Sequence, residues 1–370
     1  MLTCVVDVLS VSLYSSPMEY SREEHIRSLL KGESPFRARQ AYDALFSLLV
    51  AGWSDASALP KDARELLERA VPWNMFRSVA IFPSRRGDTW KALLEASDQA
   101  RIETVLMRNS RGQFTVCVST QVGCAMACRF CSTGKMGFSR NLSQDEIVDQ
   151  VRFFREFIRR DGLDGMITNV VFMGMGEPLA NYEHVRSAIR TLIDRMGIGP
   201  TRITVSTVGL VPMLSRTLDD PEWPAVRLAV SLHSADPATR KDLMPTSYDD
   251  FLDRLAEWTE RYFQKFSEKR RHLTFEYIML ANVNDTPEHA AALVRFARRV
   301  GKVRINLIPY NITEGGFRKS SEPAIERFQE TLERAGVIVT RRRTMGDDIA
   351  AACGQLAADT PQSTNDQMHK

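Results

Sequence analysis

The apolar positions of this chain change period near residue 113. From there, short runs rich in Val, Ile, Phe and Leu recur over residues 114–119, 166–173, 203–206, 226–231, 272–279, 303–308 and 337–341, and each reads as a strand. Between them, residues 143–158, 182–196 and 248–266 place apolar side chains at helical spacing. Ser143 followed by Glu146 is a capping box and sets the start of the first of these helices. Repeated strand-then-helix units of this length predict an α/β fold with parallel strands and right-handed crossovers. About six units fall short of the roughly eight that close a barrel, so the pattern predicts a partial (βα)6, TIM-like barrel.

Residues 22–70 read instead as amphipathic helices. Ser21 and Glu24 form a second capping box ahead of Ile26, Leu29 and Leu30. Pro35 ends that helix, and Ala41, Leu45, Leu48 and Leu49 mark another over 37–50. Residues 90–95 and 101–107 read as two strands joined by the polar Ser97-Asp98-Gln99. The expected division is a small N-terminal helical accessory domain over 1–95, an α/β core over 96–356 and a polar, frayed tail over 357–370.

Composition narrows the setting. The 370 residues, 44% hydrophobic and 26% charged, suit one large core with an accessory unit. A net charge of +3 gives no signature of a nucleic-acid partner. No apolar run approaches the roughly 18–20 residues of a membrane span. Residues 2–13 are apolar but carry Asp7 and no basic leader, so a buried strand is preferred to a signal peptide. The six cysteines are therefore expected in a reducing cytoplasm, as ligands or catalysts and not as structural disulfides.

Three of them, Cys124, Cys128 and Cys131, are spaced C-x3-C-x2-C directly after the first strand of the α/β pattern. Such gaps let one loop wrap a [4Fe–4S] cluster with three thiolates, leaving one iron open to chelate a small molecule. The competing reading is a zinc knot that adds Cys117, but only one C-x2-C unit is present. Gly123, Ala125, Ala127, Gly134 and Gly137 keep the loop small enough for close approach. Phe172-Met173-Gly174-Met175-Gly176-Glu177-Pro178 ends the next strand, where Glu177 can accept from an ammonium such as that of S-adenosylmethionine (SAM). A plain strand-to-helix turn is the alternative there. Ser206 and Ser231-Leu232-His233 also stand at strand ends, where sites of such folds gather. Cys117 reads equally as a small buried hydrophobe. Cys353, among alanines and Gly354, reads as an exposed, movable thiol, and Cys4 as inert.

With these residues in hand, the chain resembles the radical-SAM adenosine methyltransferases of 23S ribosomal RNA. The likeness rests on C-V-S-T-Q-V-G-C-A-M-A-C-R-F-C-S-T-G (117–134), F-M-G-M-G-E-P-L-A-N (172–181), V-N-D-T-P-E-H-A (283–290), I-N-L-I-P-Y-N (305–311) and the Cys353 segment. Pro35-Phe36-Arg37-Ala38-Arg39-Gln40 is similar to the family's accessory-domain motif. The resemblance implies a radical-SAM barrel with a [4Fe–4S] cluster on Cys124, Cys128 and Cys131, and two SAM molecules per turnover. Gly176, Glu177, Ser206, Ser231, Leu232, His233 and Asn311 would hold SAM, with Met173 lining the same pocket. Cys353 would take a methyl group by displacement, and a 5′-deoxyadenosyl radical from the second SAM would remove hydrogen from it. The carbon radical adds to adenine, Glu103 takes the ring proton, and Cys117 attacks Cys353 to release methylated RNA through a transient disulfide bond. Ala350 and Met345 depart from the family pattern, which often has Asp and a basic residue there.

Pro178 after Glu177 resembles the branch that methylates carbon 2 of adenine, against a carbon-8, antibiotic-resistance branch. Expected partners are 23S rRNA, tRNA as a second candidate and an electron donor such as flavodoxin, with no membrane and a monomeric state. Arg37 and Arg39, Arg318-Lys319 and Arg341-Arg342-Arg343 are candidate RNA contacts, while Lys269-Arg270-Arg271 reads as a solvated face. The rival classes are a radical-SAM enzyme for a small molecule or peptide, which needs neither Cys117 nor Cys353, and a zinc-knotted RNA-binding module.

Overall fold

The structure, a computed structural model, describes residues 21–266 and 273–358. The strand expected over 2–13 with Cys4, the Lys269-Arg270-Arg271 run and the tail from 359 lie outside the described residues. Three helices come first: α1 (Arg22–Leu29), α2 (Pro35–Ala44) and α3 (Lys61–Ala70). An antiparallel meander follows, β1 (Phe76–Pro83), β2 (Thr89–Ala96) and β3 (Arg101–Arg108). The α/β pattern then runs β4 (Phe114–Cys117), β5 (Gln121–Gly123), α4 (Ser132–Lys135), β6 (Phe138–Asn141), α5 (Gln144–Arg160), β7 (Ile167–Phe172) and α6 (Tyr182–Asp194). It continues with β8 (Ile203–Thr207), α7 (Val211–Asp219), β9 (Arg227–Ser231), α8 (Pro237–Leu243), α9 (Phe251–Lys265) and β10 (Leu273–Met279). The last elements are α10 (Pro287–Val300), β11 (Arg304–Pro309), α11 (Glu322–Arg334) and β12 (Ile338–Arg341).

Among the described residues one sheet of ten strands has the order β1-β2-β3-β4-β7-β8-β9-β10-β11-β12. Pairing is parallel from β4 through β12, so the expected α/β core is present as six βα units and a closing strand. One cavity takes side chains from β3 and β4 at one side of this order and from β11 at the other, so the sheet curls into an open barrel. β3 pairs antiparallel with β4, and the sheet runs unbroken across residue 95, which lies within the β2–β3 hairpin. β1 is a strand the pattern does not reveal. It is an edge strand with a register shift between Ser78 and Ala80, and none of its residues is buried, so period-two alternation is lost.

Both capping boxes form: Ser21 with Glu24 and Ser143 with Glu146 exchange side-chain and backbone bonds. The helix expected over 37–50 stops at Ala44. The Leu45 and Phe46 carbonyls instead accept from Arg152 Nε (2.7 Å) and Arg155 Nη2 (2.6 Å) on α5. Buried Arg22 completes the join, with Nη2 2.6 Å and Nε 3.2 Å from Asp149 and Asp145 and Nη1 on the Trp73 carbonyl. The helical unit is thereby fixed to α5 and not tethered by a linker.

Candidate active site

The candidate residues Cys117, Glu177, Ser206, Ser231 and Asn311 lie at or just past the C-terminal ends of β4, β7, β8, β9 and β11, where sites of α/β sheets gather. β4 ends on Cys117, and the β5–β6 hairpin brackets the loop that carries Cys124, Cys128 and Cys131. The Cys124 amide donates to the Gly137 carbonyl (2.7 Å), closing that loop. A Cβ on Gly134 would stand 2.9 Å from the backbone N and O of Cys128, so only glycine lets the loop fold this tightly. All five described cysteines are free, so among the described residues the resting chain has no disulfide bond. Among them, too, no three His, Cys, Asp or Glu side chains converge as one metal ion requires. A cubane asks for less convergence, because each thiolate takes a different iron. Burial pushes the Cys124 thiol up to about 12 and raises Cys128 and Cys131 as well, so these sulfurs need a bound cation to stay ionised. Two buried thiols and one half-buried thiol in one glycine-tightened loop fit a cluster.

The strand ends beside this loop are wired together. Gly176 has φ +100°, and a Cβ there would meet Gln121 N at 2.8 Å. Glu177 is buried, and its two oxygens accept from the amides of Leu179 (2.9 Å) and Val208 (2.8 Å), tying the end of β7 to that of β8. Burial outweighs those bonds and pushes its carboxyl up to about 7. Ser206 and Ser231 are half-buried on β8 and β9, and Leu232 is fully buried. His233 (φ +58°) accepts at Nδ1 from the Ile278 amide (3.1 Å), which places its proton on Nε2, and its ring meets Phe130 of the cysteine loop edge-on at 4.7 Å.

Burial first, then Arg240, pushes the His233 imidazole from 6.5 down to about 3. The unfolded chain therefore takes up a proton below about pH 6.5 that the folded chain refuses. Stability present above that value falls as pH falls towards 3, by roughly 5 kcal/mol in full. Asn in place of His233 tolerates the left-handed backbone and keeps an acceptor. His233→Asn is expected to flatten this acid limb in urea unfolding followed from about pH 7 to about pH 4.5. An unchanged slope would show that His233 is not the group responsible.

A cavity of about 370 Å³ lies against these strand ends, and both remaining thiols open into it. Val105 pairs with Cys117 and Cys117 with Val171, so the three share the inner face, with Met173 above them. Cys117 is buried, which pushes its thiol up to about 12. Cys353 is half-buried in the opposite wall with Asn311, not on the exposed, movable segment expected, because its loop is pinned from several sides. Ser132 N donates to the Gly354 carbonyl (2.7 Å), Thr133 Oγ1 to that of Leu356 (2.6 Å) and Asn311 Nδ2 to that of Cys353 (3.2 Å). Ala350 adopts φ +50°, a conformation short polar side chains take more readily than alanine, and Lys91 Nζ holds its carbonyl at 3.3 Å.

Glu103 lies on the Cys117 face, two residues before Val105, but it is engaged. Lys91 Nζ is 2.7 Å from its Oε1 with side chains 2% and 1% exposed, and Oε2 accepts from the Ala357 amide at 2.9 Å. Three groups in this site escape the sequence reading. Lys91 is signalled only by an inward charge in an apolar strand. Arg240, on α8, donates to the carbonyls of Ser231, Leu232 and Val208, which nothing local to it announces. Arg342, a candidate RNA contact, enters the cavity, where Cys353 is the foremost cause that holds its guanidinium protonated, ahead of Glu276 and Cys117. Of its neighbours, Arg341 is paired with Glu322, while Arg343 and Arg108 reach the cavity rim.

Comparison with known proteins agrees with this geometry. The Radical SAM superfamily profile matches residues 118–296. A "Probable dual-specificity RNA methyltransferase RlmN" of Synechococcus sp. (strain CC9902) is 44% identical over 89% of this chain and 92% of its own. A "Ribosomal RNA large subunit methyltransferase N" of Nitrosopumilus maritimus (strain SCM1) is 39% identical over 89% and 94%. The crystal structure of a radical SAM methyltransferase from Sphaerobacter thermophilus, 36% identical, superposes with a TM-score of 0.82 over 92% of this chain and 98% of that one. The cysteine loop, the open barrel and likeness along nearly the whole chain place this protein in the RlmN family of radical SAM RNA methyltransferases.

Proposed function

We propose that this chain methylates carbon 2 of an adenosine in 23S rRNA, with tRNA as a second substrate, through a methyl group carried on Cys353. The observation that carries the reading is the presence of two thiols, Cys117 and Cys353, in one cavity whose wall also includes Cys131 of the cluster loop. A radical-SAM enzyme for a small molecule or peptide has no need of that pair. Cys124, Cys128 and Cys131 would hold the [4Fe–4S] cluster beside SAM at Gly176, Glu177, Ser206, Ser231, Leu232, His233 and Asn311, and together these supply one-electron cleavage of SAM. The electron comes from a low-potential donor such as a flavodoxin, and the protein works as a cytoplasmic monomer.

The residues of this chain divide the remaining work. Cys353 takes a methyl group by displacement at a first SAM, and Arg342 supplies the positive charge its thiolate faces. A second SAM is spent on activating that methyl group, giving two per turnover. Once the methyl carbon is bonded to adenine, the adduct radical must give up one electron, for which the oxidised cluster on Cys124, Cys128 and Cys131 would be the acceptor, and Glu103 takes the ring proton. Its carboxylate is held by Lys91 and Ala357 in this state, so that role requires the Ala357 contact to open. Cys117 then attacks the Cys353 sulfur. The S–S bond forms, the S–C bond breaks, its electron pair passes to the adenine carbon unit and a proton completes the methyl. Two electrons from an external thiol restore both cysteines. Arg108 and Arg343 at the rim suit phosphate contacts, which makes RNA binding salt-dependent.

The test uses iron-reconstituted protein, 23S rRNA and SAM with a fully deuterated methyl group. Mass spectrometry of digested RNA is expected to show 2-methyladenosine that has lost one deuterium, because one hydrogen leaves the carried methyl and a solvent proton returns. Product at carbon 8 moves the chain to the other branch. A fully deuterated methyl group, or no RNA product, ends this reading.

A further inference from the structure

We infer that Arg240 is the buried counter-charge of the iron–sulfur site, raising the reduction potential of the cluster on Cys124, Cys128 and Cys131. The inference rests on the cluster reading above. Arg240 is 2% exposed. Its Nη atoms are spent on neutral acceptors: the carbonyls of Ser231 (3.1 Å), Leu232 (3.0 Å) and Val208 (2.7 Å) and the sulfur of Met244 (2.7 Å). Its Nε has no partner, and the guanidinium carbon lies 3.6 Å from the centre of the Phe251 ring. A fully charged group held among carbonyls, a thioether and a ring is costly unless a negative charge stands nearby. Other buried arginines here meet that need with carboxylates, as Arg22 does with Asp145 and Asp149.

Burial pulls the Arg240 guanidinium down to about 9, and the group that opposes this is Cys128, which is ionised once a cluster binds it. Backbone geometry brings the two together: the Arg129 amide, next after Cys128, donates to the Leu243 carbonyl at the end of α8 (3.0 Å). Leu243 and Met244 pack in one buried cluster with Cys124 and Cys128. Three thiolates on a cubane leave net negative charge, and reduction adds one more. Cluster potentials follow net charge and burial, so a fixed cation favours the reduced form. The same side chain clasps the ends of β8 and β9, which carry Ser206, Ser231 and Leu232, so it also holds the SAM wall square to the cluster.

The experiment is a mediator-poised reductive titration of reconstituted full-length protein without SAM, reading the reduced-cluster electron paramagnetic resonance signal and iron per chain. Arg240→Gln and Arg240→Met remove the charge, and Arg240→Lys keeps it while losing the planar clasp. The neutral variants are expected to have at least a tenfold smaller reduction constant, about 59 mV for one electron. Arg240→Lys is expected to stay within about threefold of the parent. Neutral variants within threefold of the parent, or a lysine variant displaced as far as they are, overturn the inference. Loss of iron from both neutral variants but not from Arg240→Lys supports it, since charge then decides assembly. Loss from all three overturns it in favour of a purely mechanical clasp. A parent protein that takes up no iron fails the cluster reading itself, and the inference with it.

Discussion

Replacing Cys117 with alanine is expected to stop turnover after the new carbon–carbon bond has formed, so that the protein accumulates covalently bound to its RNA. Cys117 touches nothing upstream of that point. It lies at the end of β4, outside the C-x3-C-x2-C loop, and lines the same cavity as Cys353. Its thiol, pushed up to about 12 by burial and next by the charge of Cys353, is protonated at neutral pH. That protects the pair from forming a disulfide before RNA arrives, since only the thiolate attacks. Among the described residues the one other thiol lining that cavity is Cys131, which the proposed function assigns to the cluster. On a denaturing gel at least about tenfold more protein should migrate with RNase-sensitive mass than in the parent, while methylated RNA released per chain stays at or below one. RNA-free Cys117→Ala protein with continued release of product would remove Cys117 from the mechanism.

The parts of this site that were legible in the sequence are those set by short-range chemistry. C-x3-C-x2-C announces its ligand loop because the loop alone does the wrapping, and the two capping boxes are complete within a few residues each. The strand-end positions Glu177, Ser206 and Ser231 follow from period and order together. What stayed hidden depends on long-range contacts. Glu103 looks like a solvated strand carboxylate until Lys91 from β2 and Ala357 from the far end of the chain meet it. Cys353 looks mobile because its alanine-rich loop has little packing bulk. Yet its anchors are backbone carbonyls and amides, which composition does not register. Arg342 sits in a triple-arginine run, where charge counting cannot separate the one residue turned inward from Arg341, paired with Glu322, and Arg343, on the rim.

Those backbone anchors also give the second large effect a clean form. Cys353→Ala should abolish methyl transfer to RNA, by at least about 1,000-fold, the scale on which removal of a covalent nucleophile is felt. It should leave the loop docked, because Lys91 to Ala350, Ser132 to Gly354 and Asn311 to residue 353 all use main-chain carbonyls that alanine retains. Removing a half-buried sulfur from a cavity wall is expected to change unfolding stability by less than about 1 kcal/mol. Among the described residues, the hydrogen bonds that anchor this loop use main-chain carbonyls and not the sulfur. On the proposed function, dithionite-driven release of 5′-deoxyadenosine should therefore continue within about threefold of the parent rate. The intact protein mass, a methyl group heavier in parent chains isolated from methylating cells, should be unmodified in the variant. Arg342 then loses the charge it faces, and Arg342→Met in the parent background should slow methylation of Cys353 without touching deoxyadenosine release. Methylated adenosine from Cys353→Ala protein would mean that carbon reaches the ring without passing over this sulfur. Loss of SAM cleavage along with transfer would mean that the loop, and not its thiol, is what the reaction requires.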